Sequence, residues 1–285
     1  LLKDTREAIG IFDIIHLKIY RNNILIELSK KISTIVGKTN AEYGLIKEGD
    51  RVLVGFSGGK DSLTLIHALN RIKKVAPFNF DFKAVTVTYG MGEQVQFLSN
   101  HCAEHGIEHE IIDTQIFELA GEKIRKNSSF CSFFSRMRRG YIYTVAQEQG
   151  YNKIALGHHL DDAMESFFMN FFYNGTMRTM PPKYTAENGL EVIRPLIFCR
   201  ERQLRAFADS NEINVIGDEA CPGLRFDVKM PHARASTKDL LAKLEEENPK
   251  IFVSMKAAFS NIQLSTFFYK ENEEIIESIE EDNIV

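Results

Sequence analysis

The stretch RVLVGFSGGKDSLTLIHALNRI, from Arg51 to Ile72, places an apolar run directly before two glycines, a lysine, an aspartate and two serines. The run RVLVGF predicts a short buried strand, and the residues from Asp61 to Lys74 predict a helix. A strand that ends in glycines and enters a helix leaves backbone N–H groups unpaired at the positive end of the helix dipole. The stretch therefore predicts an anion-binding turn at the start of a helix.

The spacing within this turn argues against the best-known phosphate loop. A Walker loop needs Gly, four residues and then Gly-Lys-Ser/Thr, but here Gly59-Lys60 is followed by Asp61. Asp61 would repel a phosphate unless it caps the helix or helps to hold Mg²⁺. A tight turn capped by Asp61 and Ser62 is the simpler alternative. On the nucleotide-binding reading, the contacts would be Ser57, Gly58, Gly59, Lys60, Asp61 and Ser62.

Strand-like and helix-like segments alternate up to Gly175. Further strands are predicted in DFKAVTVTYG, IEHEIID and NKIALG, and helices in GEQVQFLSNHCAEHG, SFFSRMRRGYIYTVAQEQG and DDAMESFFMNFFYNG. This alternation predicts an α/β fold with a parallel sheet and right-handed crossovers. Ligands of such sheets bind at the carboxyl ends of the strands.

The ends of the chain are predicted to be helical. We expect a helical N-terminal element at 1–48, a nucleotide-binding domain at 49–230 and a helical C-terminal extension at 231–285. The extension is predicted to break near Asn248-Pro249 and to end in a solvated acidic helix or tail. Within the domain, MRTMPPKYTAENG is expected to be a loop, EVIRPLIF an extended segment, RERQLRAFADSN a helix, and INVIGDEACPG a last strand and loop.

A second polar cluster follows the predicted strand NKIALG. Gly157 could expose backbone amides there, and His158, His159, Asp161 and Asp162 lie in the next turn. Asp161 and Glu165 are four residues apart on one helix face, where like charges repel, and a bound cation would relieve that repulsion. The alternative is that the two aspartates only favour the start of a helix electrostatically.

Composition favours a cytoplasmic protein without a membrane segment. Hydrophobic residues make up 44% of the 285 residues and charged residues 26%, and the net charge is −4. No apolar run reaches the roughly 18 residues that a membrane helix needs, and the first residues lack the pattern of a secretion signal. Four cysteines in a chain of this length do not suggest a disulfide framework.

The motifs together resemble one enzyme family. Ser-Gly-Gly-Lys-Asp-Ser after an apolar strand is similar to the signature of the PP-loop ATP pyrophosphatases. Gly-His-His-x-Asp-Asp, Arg-Arg-Gly at 138–140 and Met-Pro-Pro-Lys at 180–183 resemble the tRNA 2-thiocytidine synthetase family within that superfamily. The resemblance covers roughly residues 25–265 by eye.

The resemblance implies an activity and its partners. It implies adenylation of a cytidine in the tRNA anticodon loop by ATP, followed by sulfur transfer and release of AMP and pyrophosphate. Mg²⁺ would be held with help from Asp61 or Asp161, and Lys60 would offset charge on the pyrophosphate. The implied partners are tRNA and a sulfur donor protein such as a cysteine desulfurase, and a homodimer is compatible with the pattern.

The cysteines depart from the family pattern. Members carry Cys-x-x-Cys before Arg-x-Arg-Arg-Gly, plus a third cysteine near the end of the sheet, and these hold an iron–sulfur cluster. Here Cys131 and Cys221 occupy the first and third positions, but Phe134 occupies the second and cannot bind iron. An iron–sulfur cluster with an unusual ligand, a persulfide-bearing pair, and relic cysteines all remain open. Cys199 is expected to be a core residue.

Other side chains are candidates for RNA contact or metal binding. The family motifs carry Arg136, Arg138, Arg139, Arg178 and Lys183, which could contact phosphates, and Phe133, Phe134 and Tyr184, which could stack on bases. Phenylalanines of the helix at 164–173 are expected in the core. His101 and His105, with Cys102 and His109 near them, have a spacing that can bind zinc, but an exposed helix surface is the simpler interpretation.

Two competing functions remain open at this point. A PP-loop ligase that adds an amine would need neither Cys131 nor Cys221. A non-catalytic nucleotide-binding protein would bind ATP without releasing pyrophosphate.

Overall fold

The computed structural model describes residues 26–123, 130–217 and 232–266. Their strands form one six-stranded sheet in the order β3-β2-β1-β4-β6-β5, in which β5 pairs antiparallel to β6 and the other pairs are parallel. The predicted α/β fold with a parallel sheet is confirmed. The strands are β1 (Arg51–Gly55), β2 (Asp81–Val87), β3 (His109–Ile112), β4 (Lys153–Ala155), β5 (Lys183–Thr185) and β6 (Glu191–Ile193).

Helices precede, separate and follow the strands. They are α1 (Lys30–Tyr43), α2 (Lys60–Val75), α3 (Gln96–Glu104), α4 (Ile116–Lys123), α5 (Phe130–Glu148), α6 (Leu160–Tyr173), α7 (Glu201–Ser210), α8 (His232–Glu247) and α9 (Ile251–Ala258). Two compact units result, Leu1–Ala235 with the sheet and Ser236–Val285 with most of α8 and all of α9. The predicted helical break near Asn248-Pro249 is confirmed. No helix in the described part of the chain is both long and apolar enough to span a bilayer.

The sheet is covered on both faces because successive residues of a strand point to opposite sides. In β1, Val52 and Val54 belong to one apolar cluster together with residues of α1, α2 and α7. Leu53 belongs to the opposite cluster together with residues of α4 and α5. The central strand is therefore buried on both faces, which fits its continuous apolar sequence.

The strand order places two loops side by side. From β1 the chain moves outward through β2 and β3, and it returns to the other side of β1 with β4. Val54 of β1 pairs with Ala155 of β4 in parallel register, so these two strands end at the same edge. A ligand crevice forms where the strand order reverses in this way. The loops at 56–59 and 156–159 therefore share one edge of the sheet.

Three local predictions were wrong. The expected loop MRTMPPKYTAENG contains β5, a three-residue edge strand too short to show a periodic pattern. The expected last strand is absent from 213–217, the described part of INVIGDEACPG. Phe171 and Phe172 of α6 are 48% and 50% exposed rather than buried, and they stack on Phe167 and Phe168 one turn earlier. The predictions for 1–25 and for the acidic end lie outside the described residues.

Candidate active site

The two glycine-bearing turns are in direct contact. A Cβ built on Gly157 would lie 3.1 Å from the carbonyl carbon of Asp61 and 3.2 Å from the nitrogen of Ser62. Backbone atoms cannot rotate away as the end of a side chain can. A larger residue at position 157 would push this backbone away by a few tenths of an ångström, so glycine suits the close packing of the turn after β4 against the first turn of α2.

The turn after β1 has the geometry of an anion site. Gly58 has a φ of +79°, a conformation that glycine adopts without strain. Gly59 is the N-cap of α2, and no side chain caps that helix. The first N–H groups of α2 are thus open to an external acceptor. The predicted turn between the end of β1 and the start of α2 is formed, and its binding of phosphate stays a prediction.

The two serines of the turn have different roles. The Ser62 hydroxyl is buried, donates to the Gly59 carbonyl at 3.0 Å and accepts the Ser57 N–H at 3.2 Å. Ser62 therefore holds the turn in shape. Ser57 is exposed, and its hydroxyl contacts only the Ser62 hydroxyl, at 3.2 Å, among the described residues. Of the two, Ser57 is better placed to reach a ligand.

A cavity of about 230 Å³ opens beside this turn, at the carboxyl ends of β1, β2 and β4. Its wall combines the two motifs with the arginine-bearing face of α5. The lining includes Gly55, Ser57, Asp61, Ser62, Val87, Ser135, Arg138, Arg139, Gly157, His158 and Asp162. Residues that are up to 107 positions apart in sequence thus face one space.

Asp61 lines this cavity and has one unsatisfied carboxylate oxygen. Its Oδ1 atom is buried and has no hydrogen-bond partner in the described part of the chain. Burial raises the pKa of the Asp61 carboxyl, and the nearby His159 and Lys60 oppose that rise. A buried polar atom without a partner is costly. A bound cation or a ligand donor would satisfy it.

Asp161, the other predicted magnesium ligand, is already engaged. Arg200 donates to its carboxylate from Nε at 3.1 Å and from Nη2 at 3.0 Å, and the Glu201 N–H donates at 2.7 Å. The carboxylate thus caps the start of α7. Lys60 joins the same group, because its amine lies 3.2 Å from Glu201 and 3.4 Å from Asp61.

Two arginines supply the cations that the acidic cluster was predicted to need. Arg200 neutralises Asp161, and Arg234 bridges the other two carboxylates of the helix. Arg234 donates from Nη2 to Asp162 and from Nε to Glu165, each at 2.8 Å. The two guanidinium groups therefore offset the repulsion between Asp161 and Glu165.

His158 is held as a neutral imidazole at the cavity wall. Burial lowers its pKa to about 4, and its Nδ1 accepts a hydrogen bond from Arg194 Nε at 3.2 Å. The proton of the neutral ring then sits on Nε2, which leaves an N–H donor for a ligand. His159 differs, since its Nδ1 accepts the Asp162 N–H at 3.3 Å and caps α6.

Of the side chains predicted to contact RNA, the arginines lie at the cavity or on the surface, whereas the two phenylalanines lie in the core. Arg138 and Arg139 line the cavity, while Arg136 and Arg178 lie at exposed positions and Lys183 is 3.8 Å from Glu191. The prediction that Phe133 and Phe134 stack on bases was wrong, because both are buried. Phe134 packs against Tyr89 and Phe117. Tyr184 is half-buried under the Arg194 guanidinium, with its hydroxyl 3.2 Å from that of Tyr143.

The cysteines fall into two groups. Cys102 and Cys199 are free and buried, and burial raises the pKa of each thiol to about 12. The core role expected for Cys199 is confirmed. Cys131 lies in the first turn of α5, but its side chain is outside the described residues, as is all of Cys221.

Several site residues were missed from the sequence. Arg194, Arg200, Arg234 and Glu201 contact the motif carboxylates, the motif imidazole or Lys60 across separations of 36 to 141 residues. Their side chains carry no local motif that marks them. His159 and Asp162 lie within the quoted motif, and their mutual capping could have been read from the His-x-x-Asp spacing at a helix start.

Comparison with known proteins agrees with the geometry. The PP-loop domain family matches residues 26–229. The tRNA-cytidine(32) 2-sulfurtransferase of Geobacter metallireducens is 39% identical over 251 residues, which cover 87% of this chain and 96% of that protein. The protein of the same name from Geobacter sulfurreducens is 40% identical over 236 residues, 82% of this chain and 90% of that protein.

A solved structure shares the fold. The U34-tRNA thiolase NcsA from Methanococcus maripaludis, determined with its [4Fe-4S] cluster, superposes with a TM-score of 0.66 at 24% identity, covering 85% of this chain and 83% of that one. The present chain belongs to the PP-loop domain family and, within it, to the family of the tRNA-cytidine(32) 2-sulfurtransferases.

Proposed function

We propose that this protein replaces the 2-oxygen of cytidine 32 in tRNA with sulfur, using ATP to activate that oxygen. One observation carries the proposal. The open helix start of the Ser57–Ser62 turn, the unsatisfied Asp61 carboxylate and the arginines of α5 all face one cavity. That combination suits a nucleotide triphosphate beside an anionic substrate.

ATP would place its phosphates on the turn after β1. The amides at the start of α2, together with the Ser57 hydroxyl, would accept the negative charge. Lys60 would offset charge on the departing pyrophosphate. Its amine lies 3.4 Å from Asp61 at the start of α2 and 3.2 Å from Glu201 at the start of α7. Such preorganised donors act on charge that develops in the transition state, and the loss of one typically costs about 100- to 1,000-fold in kcat.

Magnesium fits this site at Asp61 rather than at Asp161. The buried Oδ1 of Asp61 has no hydrogen-bond partner in the described residues, whereas Arg200 and the Glu201 amide donate to both oxygens of Asp161. Carboxylate and phosphate oxygens are the ligands that Mg²⁺ prefers. When bound, the ion would neutralise phosphate charge.

The chemistry has two steps. The 2-oxygen of the cytosine attacks the α-phosphorus of ATP, the bond to the β-phosphate breaks, and pyrophosphate leaves. A sulfur nucleophile then adds at the activated carbon, and AMP leaves with the oxygen. Arg138, Arg139 and the Nε2–H of His158 are the cavity donors that would hold the anionic groups in place.

The residues present do not fit the family's three-cysteine iron–sulfur site. Phe134 stands where the second cysteine is expected, and its side chain is 2% exposed within the apolar core. We therefore derive no step through a cluster. The persulfide route remains, in which one of Cys131 and Cys221 receives a persulfide sulfur from a donor such as a cysteine desulfurase. The terminal sulfur of that persulfide would attack the activated carbon, and the other thiol would then attack the sulfur left on the first cysteine, which releases the thiolated base and forms a disulfide. A thiol reductant would restore both cysteines.

Reconstitution tests the proposal. Unmodified tRNA would be incubated with the protein, ATP, Mg²⁺, cysteine, a cysteine desulfurase and a thiol reductant, and its nucleosides analysed by mass spectrometry. We expect 2-thiocytidine at position 32 and pyrophosphate release that depends on tRNA. Pyrophosphate release with a base modified by an amine would instead support the ligase. ATP binding without pyrophosphate release would support the non-catalytic alternative.

A further inference from the structure

Three histidines from two helices meet outside the proposed nucleotide site. His67 lies on α2, His101 lies on α3, and His105 immediately follows the last residue of α3. One ring nitrogen from each lies within 4.8 Å of the others. The Nε2 atoms of His67 and His101 are 2.9 Å apart. The sequence predicted an exposed helix surface for His101 and His105, and that prediction was wrong because His67 packs against both.

The cluster is enclosed rather than solvated. His67 is 5% exposed, and the other two rings are half-buried. The three rings contact one another edge to face, with centroids 4.8 to 5.1 Å apart, and Phe207 packs 5.9 Å from the His67 ring. Asn70 Nδ2 donates to the His105 carbonyl at 3.1 Å and fixes the end of α3 against α2.

The three rings are in the state that binds metals. Burial lowers the pKa of each imidazole, that of His67 to about 3. Burial thus favours the neutral form of each ring, which is the form that coordinates a metal ion. In a tetrahedral zinc site with bonds of about 2.1 Å, the ligand nitrogens lie roughly 3.4 Å apart. In this cluster the nitrogen–nitrogen distance is 2.9 Å between His67 and His101, and all three nitrogens lie within 4.8 Å of one another.

We propose that His67, His101 and His105 bind one divalent transition-metal ion, with zinc as the ion that suits three imidazoles and one water ligand. The other two residues considered with zinc from the sequence pattern, His109 and Cys102, do not join the cluster. His109 instead contacts Thr86 and Ser99, and the Cys102 thiol is buried in the apolar core.

The proposed ion would have a positioning role. His67 follows Lys60 by seven residues, which is roughly 10 Å along a helix at 1.5 Å per residue. The ion would therefore lie away from the phosphate turn and connect α2, which carries that turn, to α3. This role does not depend on the proposed tRNA activity.

Zinc titration tests the site. Tag-free protein carrying Cys131→Ser and Cys221→Ser, which removes competing thiolates, would be freed of metal with a chelator and titrated with Zn²⁺ against a chromophoric competitor. We expect one equivalent to bind, and His101→Gln or His105→Gln to weaken binding by at least about 100-fold, more than the loss of an outer-shell partner costs. His109→Gln, a nearby histidine outside the cluster, is the control and should leave the affinity unchanged.

Two further readouts make the outcome decisive. Zn²⁺ should raise the Tm of the parent protein but not that of the His101→Gln and His105→Gln variants, because an ion stabilises only the state that binds it. Co²⁺ should give the intense visible absorption of a tetrahedral site in the parent alone. Failure of the parent to bind zinc, or equal affinity in the parent and both variants, would overturn the proposal in favour of a metal-free hydrogen-bonded cluster.

Discussion

Gly157 and Asp61 touch through backbone alone. A Cβ at position 157 would lie 3.1 Å from the Asp61 carbonyl carbon and 3.2 Å from its oxygen. The turn after β4 therefore rests directly on the helix start that carries the phosphate-binding turn. This contact sets the spacing between Asp61 and His158, two side chains that face the cavity from opposite turns.

Gly157→Ala should separate the two turns. The added methyl group meets backbone, which must shift by a few tenths of an ångström, so we expect ATP affinity to fall by roughly tenfold through misplaced contacts. Isothermal titration with ATP measures the loss. Gly37→Ala in α1 is the matched control, since nothing lies within 4 Å of its added Cβ. That variant should be more stable by about 0.5–1 kcal/mol with unchanged ATP affinity. Equal ATP affinity in both variants would contradict the proposed contact.

Gly58 and Gly59 should differ sharply in their tolerance of alanine. Gly58 has a φ of +79°, and its added Cβ would lie 2.7 Å from Ile216 Cδ1. We expect Gly58→Ala to cost about 1–3 kcal/mol of stability. Gly59 has a φ of −74°, and its nearest atoms would be 3.7 Å away, so Gly59→Ala should cost much less. Urea unfolding of the two variants measures the difference, and equal losses would show that the turn is not strained at Gly58.

Asp61→Asn should reduce activity, whereas Asp161→Asn should reduce stability. Asp61→Asn removes the charge that we assign to magnesium, so adenylation should fall while the free energy of unfolding stays near that of the parent. Asp161→Asn weakens the bond to Arg200 and should cost about 2 kcal/mol of stability. Thermal unfolding and Mg²⁺-dependent pyrophosphate release separate the two effects. The assignment would be reversed if Asp161→Asn lost its Mg²⁺ response and Asp61→Asn kept it.

Cys131→Ala and Cys221→Ala should abolish thiolation while leaving ATP binding intact, because sulfur transfer needs both thiols and the phosphate turn needs neither. Cys102→Ala is the control, since its thiol is buried with a pKa raised to about 12 and cannot act as a thiolate. Nucleoside mass spectrometry of the reacted tRNA gives the readout. Unchanged thiolation by the double variant would contradict a role for these two thiols, whereas a base modified by an amine would favour the amine-adding ligase.

Iron analysis checks the sulfur route independently of activity. With Phe134 in place of a ligand, we expect anaerobically purified protein to be colourless and to lack iron. A brown, iron-loaded sample would overturn the persulfide route and require a cluster with a different ligand set.

The sequence specified the local parts of this site well. The turn at 57–62 and the motif at 157–162 each combine a strand end with a helix start, and the pattern of both could be read within a few residues. Their meeting at one edge followed from the rule that parallel strands present their carboxyl ends together. The family resemblance was confirmed by relatives that match most of the chain.

The other features of the site could not be predicted from the sequence, because they depend on contacts between residues that are far apart in the chain. Arg200 reaches Asp161 across 39 positions and Arg234 reaches Asp162 across 72, and no periodic pattern marks such pairs. The burial of Phe133 and Phe134 depended on which face of α5 packs on the sheet. The meeting of His67 with His101 likewise depended on how α2 and α3 lie together, which helical spacing within α3 could not reveal.

The Arg234 bridge decides where this protein can be shortened. A fragment that ended at residue 230 would retain every recognisable motif and all six strands, yet Asp162 and Glu165 would lose the guanidinium that joins them. The helix start beside the cavity would then lose one positive charge close to the proposed nucleotide site. A fragment that is meant to keep the charge balance beside the cavity therefore extends at least through Arg234.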